Sequence, residues 1–254
     1  MTTAVLSSDR LARLRRTNVV LGLLHATQGF AVLALANGFA LPVTGSFMEG
    51  PPGTGLGTTR TLFHVSFAGG VATFLFVSAI AHLTIAAPRV FRWYVANLAR
   101  GRNDARWYEY SISASVMIVL IAMLTGISDV AALGAIFGAN AAMIFFGLIQ
   151  ERYERPGGSL VPFWLGSLVG AIPWIVVGVY LIGPGSSVEP PRFVYAIYVS
   201  LFLFFNSFAI NMWLQYRKVG RWAEYLYGEK VYALLSLIAK SLLAWQVFAG
   251  TLAS

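Results

Sequence analysis

Cysteine is absent from the 254 residues. That removes disulfides and thiol chemistry and leaves the redox compartment open. Charge is also scarce. Only 11% of residues are Asp, Glu, Lys or Arg, where soluble domains carry about 25%. With 57% hydrophobic residues and a mean hydropathy of +0.70, the chain reads as a membrane protein. No pair of histidines shows metal-ligand spacing, and no second carboxylate joins them, so no metal site is expected. A removable leader is not expected either. The basic start leads into an apolar run that continues to about residue 41 without a small-residue cleavage site after a short core, so it reads as a retained first helix.

What is present is long apolar segments. A spanning helix needs roughly 20 apolar residues, and seven runs qualify: 18–41, 61–86, 105–127, 129–149, 161–183, 192–214 and 230–252. They must be helices, because lipid offers no partner for exposed backbone groups. The expectation is an all-α, single-domain, seven-helix bundle over 1–254. Helices three and four are separated by little more than Ser128 and Asp129, which predicts a tight connection. The stretch "LPVTGSFMEGPPGTGLGTTR" (41–60) fits a loose link or a small hairpin over one face. The stretch "QYRKVGRWAEYLYGEK" (215–230) mixes cations with Trp and Tyr, as headgroup-level segments do. No internal repeat is visible.

The loops fix an expected orientation. Placing the N-terminus in the cytoplasm puts most of the 18 cations inside. These are Arg10 to Arg16, Arg89 to Arg106, Arg152, Arg155, Arg217, Lys218, Arg221 and Lys230; only Arg60 and Arg192 fall outside. This is the positive-inside pattern, and an odd span count then puts the C-terminus outside. The same scatter over four segments removes the nucleic-acid reading, since no basic stripe needs another explanation.

One cation remains. Lys240 lies within "LLSLIAKSLLAWQVFAG" (234–250), roughly 15 Å beyond Lys230 by helical rise. Snorkelling from there is poor. Three readings fit the bare position: an attachment point for an aldehyde cofactor, half of an ion pair in a transporter, or a structural lysine facing a water pocket. Glu109 is the one acid that falls inside a proposed span with room around it. Its bland role is pairing with Arg106, three residues earlier. Its sharper role is counterion to Lys240, from which it is separated by roughly 7 Å along the bundle axis. His25 and His82 lie at the depth of Glu109, with Gln28 and Ser78 one turn away from each. Each histidine alone reads as a helix-packing residue; together they suggest a hydrated polar cavity able to take a proton.

Seven helices, a lysine in the seventh and a carboxylate early in the third resemble a microbial-type rhodopsin, and in particular the heliorhodopsins, whose N-terminus is cytoplasmic. The matching residues are "SLIAK" (236–240), "RWYEYSISAS" (106–115), His25, His82 and "GAIPW" (170–174). The resemblance spans the chain. It implies that Lys240 carries retinal as a Schiff base, all-trans in the dark, with Glu109 as counterion. It places Ser236 where ion pumps keep a second acid. Ser113 and Met117 share the Glu109 face and would line the chromophore, as would Asn140, Trp174, Phe205 and Asn206. His25, Gln28, Ser78 and His82 would line the polar cavity. The resemblance further implies a non-enzymatic, non-pumping photoreceptor in a bacterial or archaeal plasma membrane. It would be a homodimer in the lipid bilayer with a cytoplasmic signalling partner. The residues alone leave a light-driven or light-gated proton path open as the alternative.

Overall fold

The computed structural model describes residues 8–55, 57–183 and 186–253. Its elements are α1 (Ser8–Leu35), β1 (Ala40–Ser46), β2 (Thr59–Ser66), α2 (Phe67–Ala86), α3 (Pro88–Ala99), α4 (Asp104–Leu124), α5 (Val130–Tyr153), α6 (Val161–Ile182), α7 (Arg192–Tyr216) and α8 (Tyr225–Val247). A π-helical turn, Phe248–Leu252, ends the last helix. Seven helices, all but α3, are long and apolar enough to cross a membrane. Each spanning helix packs on its chain neighbour, and α8 closes the ring against α1 and α2.

Local chemistry sets the helix starts. The Ser66 hydroxyl accepts from Gly69 N, the Asn103 carboxamide from Arg106 N and the Asp129 carboxylate from Ala131 N and Ala132 N, so α2, α4 and α5 begin on side-chain caps. Pro88 opens α3 at a position where its missing N–H costs nothing. Gly183 ends α6 in the left-handed region, φ 57°.

The elements differ from the apolar runs at α1, at the start of α2, at α3, and at the basic ends of α5 and α8, which reach Tyr153 and Tyr225. α1 begins at Ser8, ten residues before the expected run, because Arg, Ala and Leu are strong helix formers and Leu14 packs against a cluster of Ile85, Tyr94 and Leu98. It stops at Leu35 because the chain turns into β1. Residues 59–66 form a strand and not the first turns of α2. β1 and β2 make an antiparallel hairpin, with Ala40 opposite Ser66 and an irregularity between Val43 and Thr44. Thr44 N donates to Ser128 O at 2.8 Å, which ties the hairpin to the α4–α5 connection, and Val43 enters the core. Finally, α3 is a helix the apolar count could not find. It buries Tyr94, Asn97 and Leu98 and exposes Arg89, Arg92 and Trp93.

The interior is divided. Toward the hairpin end it is apolar, built on Val32, Phe67, Leu75, Ile121, Val177, Leu201 and Leu243. Toward the other end, which carries most of the cations, buried polar side chains gather.

Candidate functional site

Lys240 sits on α8 and Glu109 on α4, each facing the bundle axis and each at most 8% exposed. Lys240 Nζ donates to Glu109 Oε1 at 2.8 Å and to Ser236 Oγ, one turn below, at 2.8 Å. Ser78 Oγ on α2 donates to the same Glu109 oxygen at 2.6 Å. The Tyr110 ring lies 5.0 Å from Lys240 Nζ. The sequence-level pairing of Lys240 with Glu109 is thus met in space, and Arg106 is not Glu109's partner. Breaking such a buried pair leaves an uncompensated charge and costs about 3–5 kcal/mol.

Two cavities flank this pair. One, of about 290 Å³, extends from Lys240 and Ser236 between α4, α5, α6 and α7. Ser113, Met117, Trp174, Phe205 and Asn206 line it, as expected, together with Met143, Gly170, Phe202, Phe208 and Met212, which sequence reasoning missed. Trp174 meets Phe202 and Phe205 edge-on at 5.4 and 5.2 Å. Gly170 matters by lacking a side chain: a Cβ there would run into Met143. A narrow aromatic slot ending on an amine is the form that would hold a conjugated apolar aldehyde. Asn140 does not line it; its amide donates to Ser115 Oγ at 3.0 Å between α5 and α4.

The second cavity, of about 530 Å³, opens at the basic end and is lined by Arg10, Asn18, His82, Tyr94, Arg106, Glu109 and Glu229 among others. His82 and His25 stack with centroids 5.9 Å apart and planes 10° from parallel. Ser78 reaches Glu109. Gln28 lies apart: it accepts from Trp245 Nε1 at 3.2 Å on a half-exposed face, because its helix position turns it toward α8. Tyr110 and Tyr232 line both cavities, and Tyr110 OH donates to Tyr232 O at 3.0 Å. These two rings form the septum between the cavities, and Lys240 meets Glu109 beside it.

A further cluster was not foreseen. Glu151 and Glu229 fall just outside the apolar runs 129–149 and 230–252, yet both are buried inside helices, where Arg106 holds them. Arg106 Nη2 donates to Glu151 Oε1 at 2.8 Å and Nη1 to Glu229 Oε1. The guanidinium lies 3.8 Å from the Tyr232 ring centre and 4.4 Å from that of Trp107. Trp107 Nε1, Asn103 and Tyr225 OH donate the remaining bonds to the carboxylates. The sequence signal was confined to Glu229, which follows Trp222, Tyr225 and Tyr227.

Among the described residues, no group of three or more His, Asp or Glu side chains is placed to hold a metal ion.

Known proteins agree with this architecture. The sequence profile of the heliorhodopsin family matches residues 14–252. Among solved structures, the fold is similar to a light-driven proton pump from Leptosphaeria maculans at 15% identity and TM-score 0.61, covering 96% of this chain and 95% of that one. It is also similar to Exiguobacterium sibiricum rhodopsin at 17% identity and TM-score 0.60, covering 94% and 95%. At these identities the structural matches speak for the fold alone. No curated protein matches the chain.

Proposed function

The chain belongs to the heliorhodopsin family, and from that premise we propose that it is a retinal-binding light sensor anchored on Lys240 and not an ion pump. The observation that carries this reading is the position of the Lys240 amine. It closes one end of an aromatic slot and bonds a carboxylate that faces a separate polar cavity. Bound there, retinal supplies visible absorption and a light-driven change of shape.

The chain's own residues would then act as follows. Glu109, fixed by Ser78, balances a positive charge at the Lys240 nitrogen. Ser236 offers that nitrogen a hydroxyl that cannot ionise. When light moves the nitrogen away from Glu109, a proton at that atom has somewhere to go only on the basic side, toward His82. Among the described residues, no buried acid or base accompanies the packed apolar cluster on the hairpin side. A pump needs a relay on both sides, so the one-sided arrangement favours a sensor. Fifteen inward-facing cations argue for a cytoplasmic N-terminus and an output at the basic end. The all-trans dark state, homodimer, plasma membrane and cytoplasmic partner are carried here as expectations of the same reading.

The test is spectroscopic. Adding retinal to the expressed protein should give a visible band, and Lys240→Ala should abolish it. A wild-type protein without a band sinks the reading. Sensor and pump separate in unbuffered illuminated cells. No sustained external pH change is expected, and one that a protonophore removes would establish transport instead.

A further inference from the structure

We propose that Asn18 is a positioning residue that fixes the tautomer of His82 and so makes Nε2 of that ring the acceptor of the proton that leaves Lys240. The inference rests on the reading of the polar cavity as the proton's destination, and it selects one atom of one histidine.

The reasoning starts at the carboxamide. Asn18 is 5% exposed on α1. Its Nδ2 donates to Leu14 O at 3.0 Å. A carbonyl oxygen only accepts, so the amide's nitrogen must face Leu14 and its oxygen must face the other way. That oxygen, Oδ1, lies 2.8 Å from His82 Nδ1. Since Oδ1 also only accepts, His82 Nδ1 must carry the hydrogen. In a neutral imidazole the other nitrogen, Nε2, then holds the lone pair. The Nδ1–H bond to Asn18 survives when Nε2 takes a proton, and a donor on a charged ring bonds more strongly than one on a neutral ring.

His25 has none of this. It is fully enclosed, and neither of its ring nitrogens has a hydrogen-bond partner. It stacks on His82 closely enough that a charge on one ring opposes a charge on the other. His82 is the histidine that lines the cavity. The charged groups acting on it are Glu109 from α4 and Lys240 from α8. The step itself is a proton transfer: the N–H bond at Lys240 breaks, its electron pair stays on that nitrogen, and a new N–H forms at His82 Nε2.

Two measurements test it. The first is nitrogen NMR on the unmutated protein in lipid, with labelled histidine and with His82→Gln to assign the signal. The neutral His82 ring should be protonated at Nδ1. Protonation at Nε2 overturns the proposal. This readout does not depend on retinal, so it stands apart from the absorption test of the sensor reading. The second is flash spectroscopy on Asn18→Leu and Asn18→Asp. The fraction of light-excited protein in which the Lys240 nitrogen has lost its proton should fall about tenfold in Asn18→Leu. Asn18→Asp, which keeps an acceptor at the same place, should restore it. An undiminished fraction in Asn18→Leu, or equal losses in both variants, overturns the proposal.

Discussion

A single oxygen, Glu109 Oε1, receives both Lys240 Nζ and Ser78 Oγ. Neutralising it as Glu109→Gln removes the negative charge that holds positive charge near Lys240. The expected outcome is a visible band moved to longer wavelength or lost to a deprotonated form, read by absorption and pH titration. The apoprotein should lose about 3–5 kcal/mol of stability in denaturant melts. An unchanged spectrum and titration would remove Glu109 from this role. Lys240 and Glu109 were legible in the sequence because ionisable groups are rare in apolar runs and each was nearly alone. Asn140 and Gln28 were harder. Both are polar and at suitable depth, but composition does not give the direction in which a side chain leaves its helix. Glu151 and Glu229 were misplaced for the opposite reason. They lie where apolar runs end, and only the fold reveals that the helices continue past them around Arg106.

At the scale of helices, approach distance is set by small residues. A Cβ on Gly147 of α5 would strike the Trp107 ring of α4. That ring is not free to yield, because its Nε1 is held by Glu151 at 2.6 Å. Gly147→Val is therefore expected to lower stability by about 1–3 kcal/mol through overpacking. Thermal unfolding of the solubilised protein would show it, and an unshifted midpoint would mean the α4–α5 contact is looser than described. All seven spans appeared in the sequence, four of them (α4 to α7) within four residues at each end, since length and hydropathy decide them, while α1, α2 and α8 begin ten, six and five residues from the expected starts. The hairpin and α3 did not. A strand beside a spanning helix has the same apolar character, and a short amphipathic helix has no long run at all.

The whole chain offers a clean test of its orientation, because it contains no cysteine to mask. Thr61→Cys on the hairpin and Ala99→Cys at the end of α3 place one thiol at each end of the bundle, both on exposed positions. In intact cells, a membrane-impermeant maleimide should label the first and spare the second. The reverse pattern would invert the topology and move the cation-rich face outside.

The Tyr110–Tyr232 septum has a consequence for how long the pigment would last. An imine bond to lysine is undone by water. The slot that would hold the chromophore and the polar cavity share Tyr110 and Tyr232 in their walls. Two aromatic rings, one of them tied by its hydroxyl to the Tyr232 backbone carbonyl, and one ion pair are what stand between them. With retinal on Lys240 as proposed, the durability of the coloured protein over many cycles of illumination would be set by how tightly that wall keeps hydrolysis out.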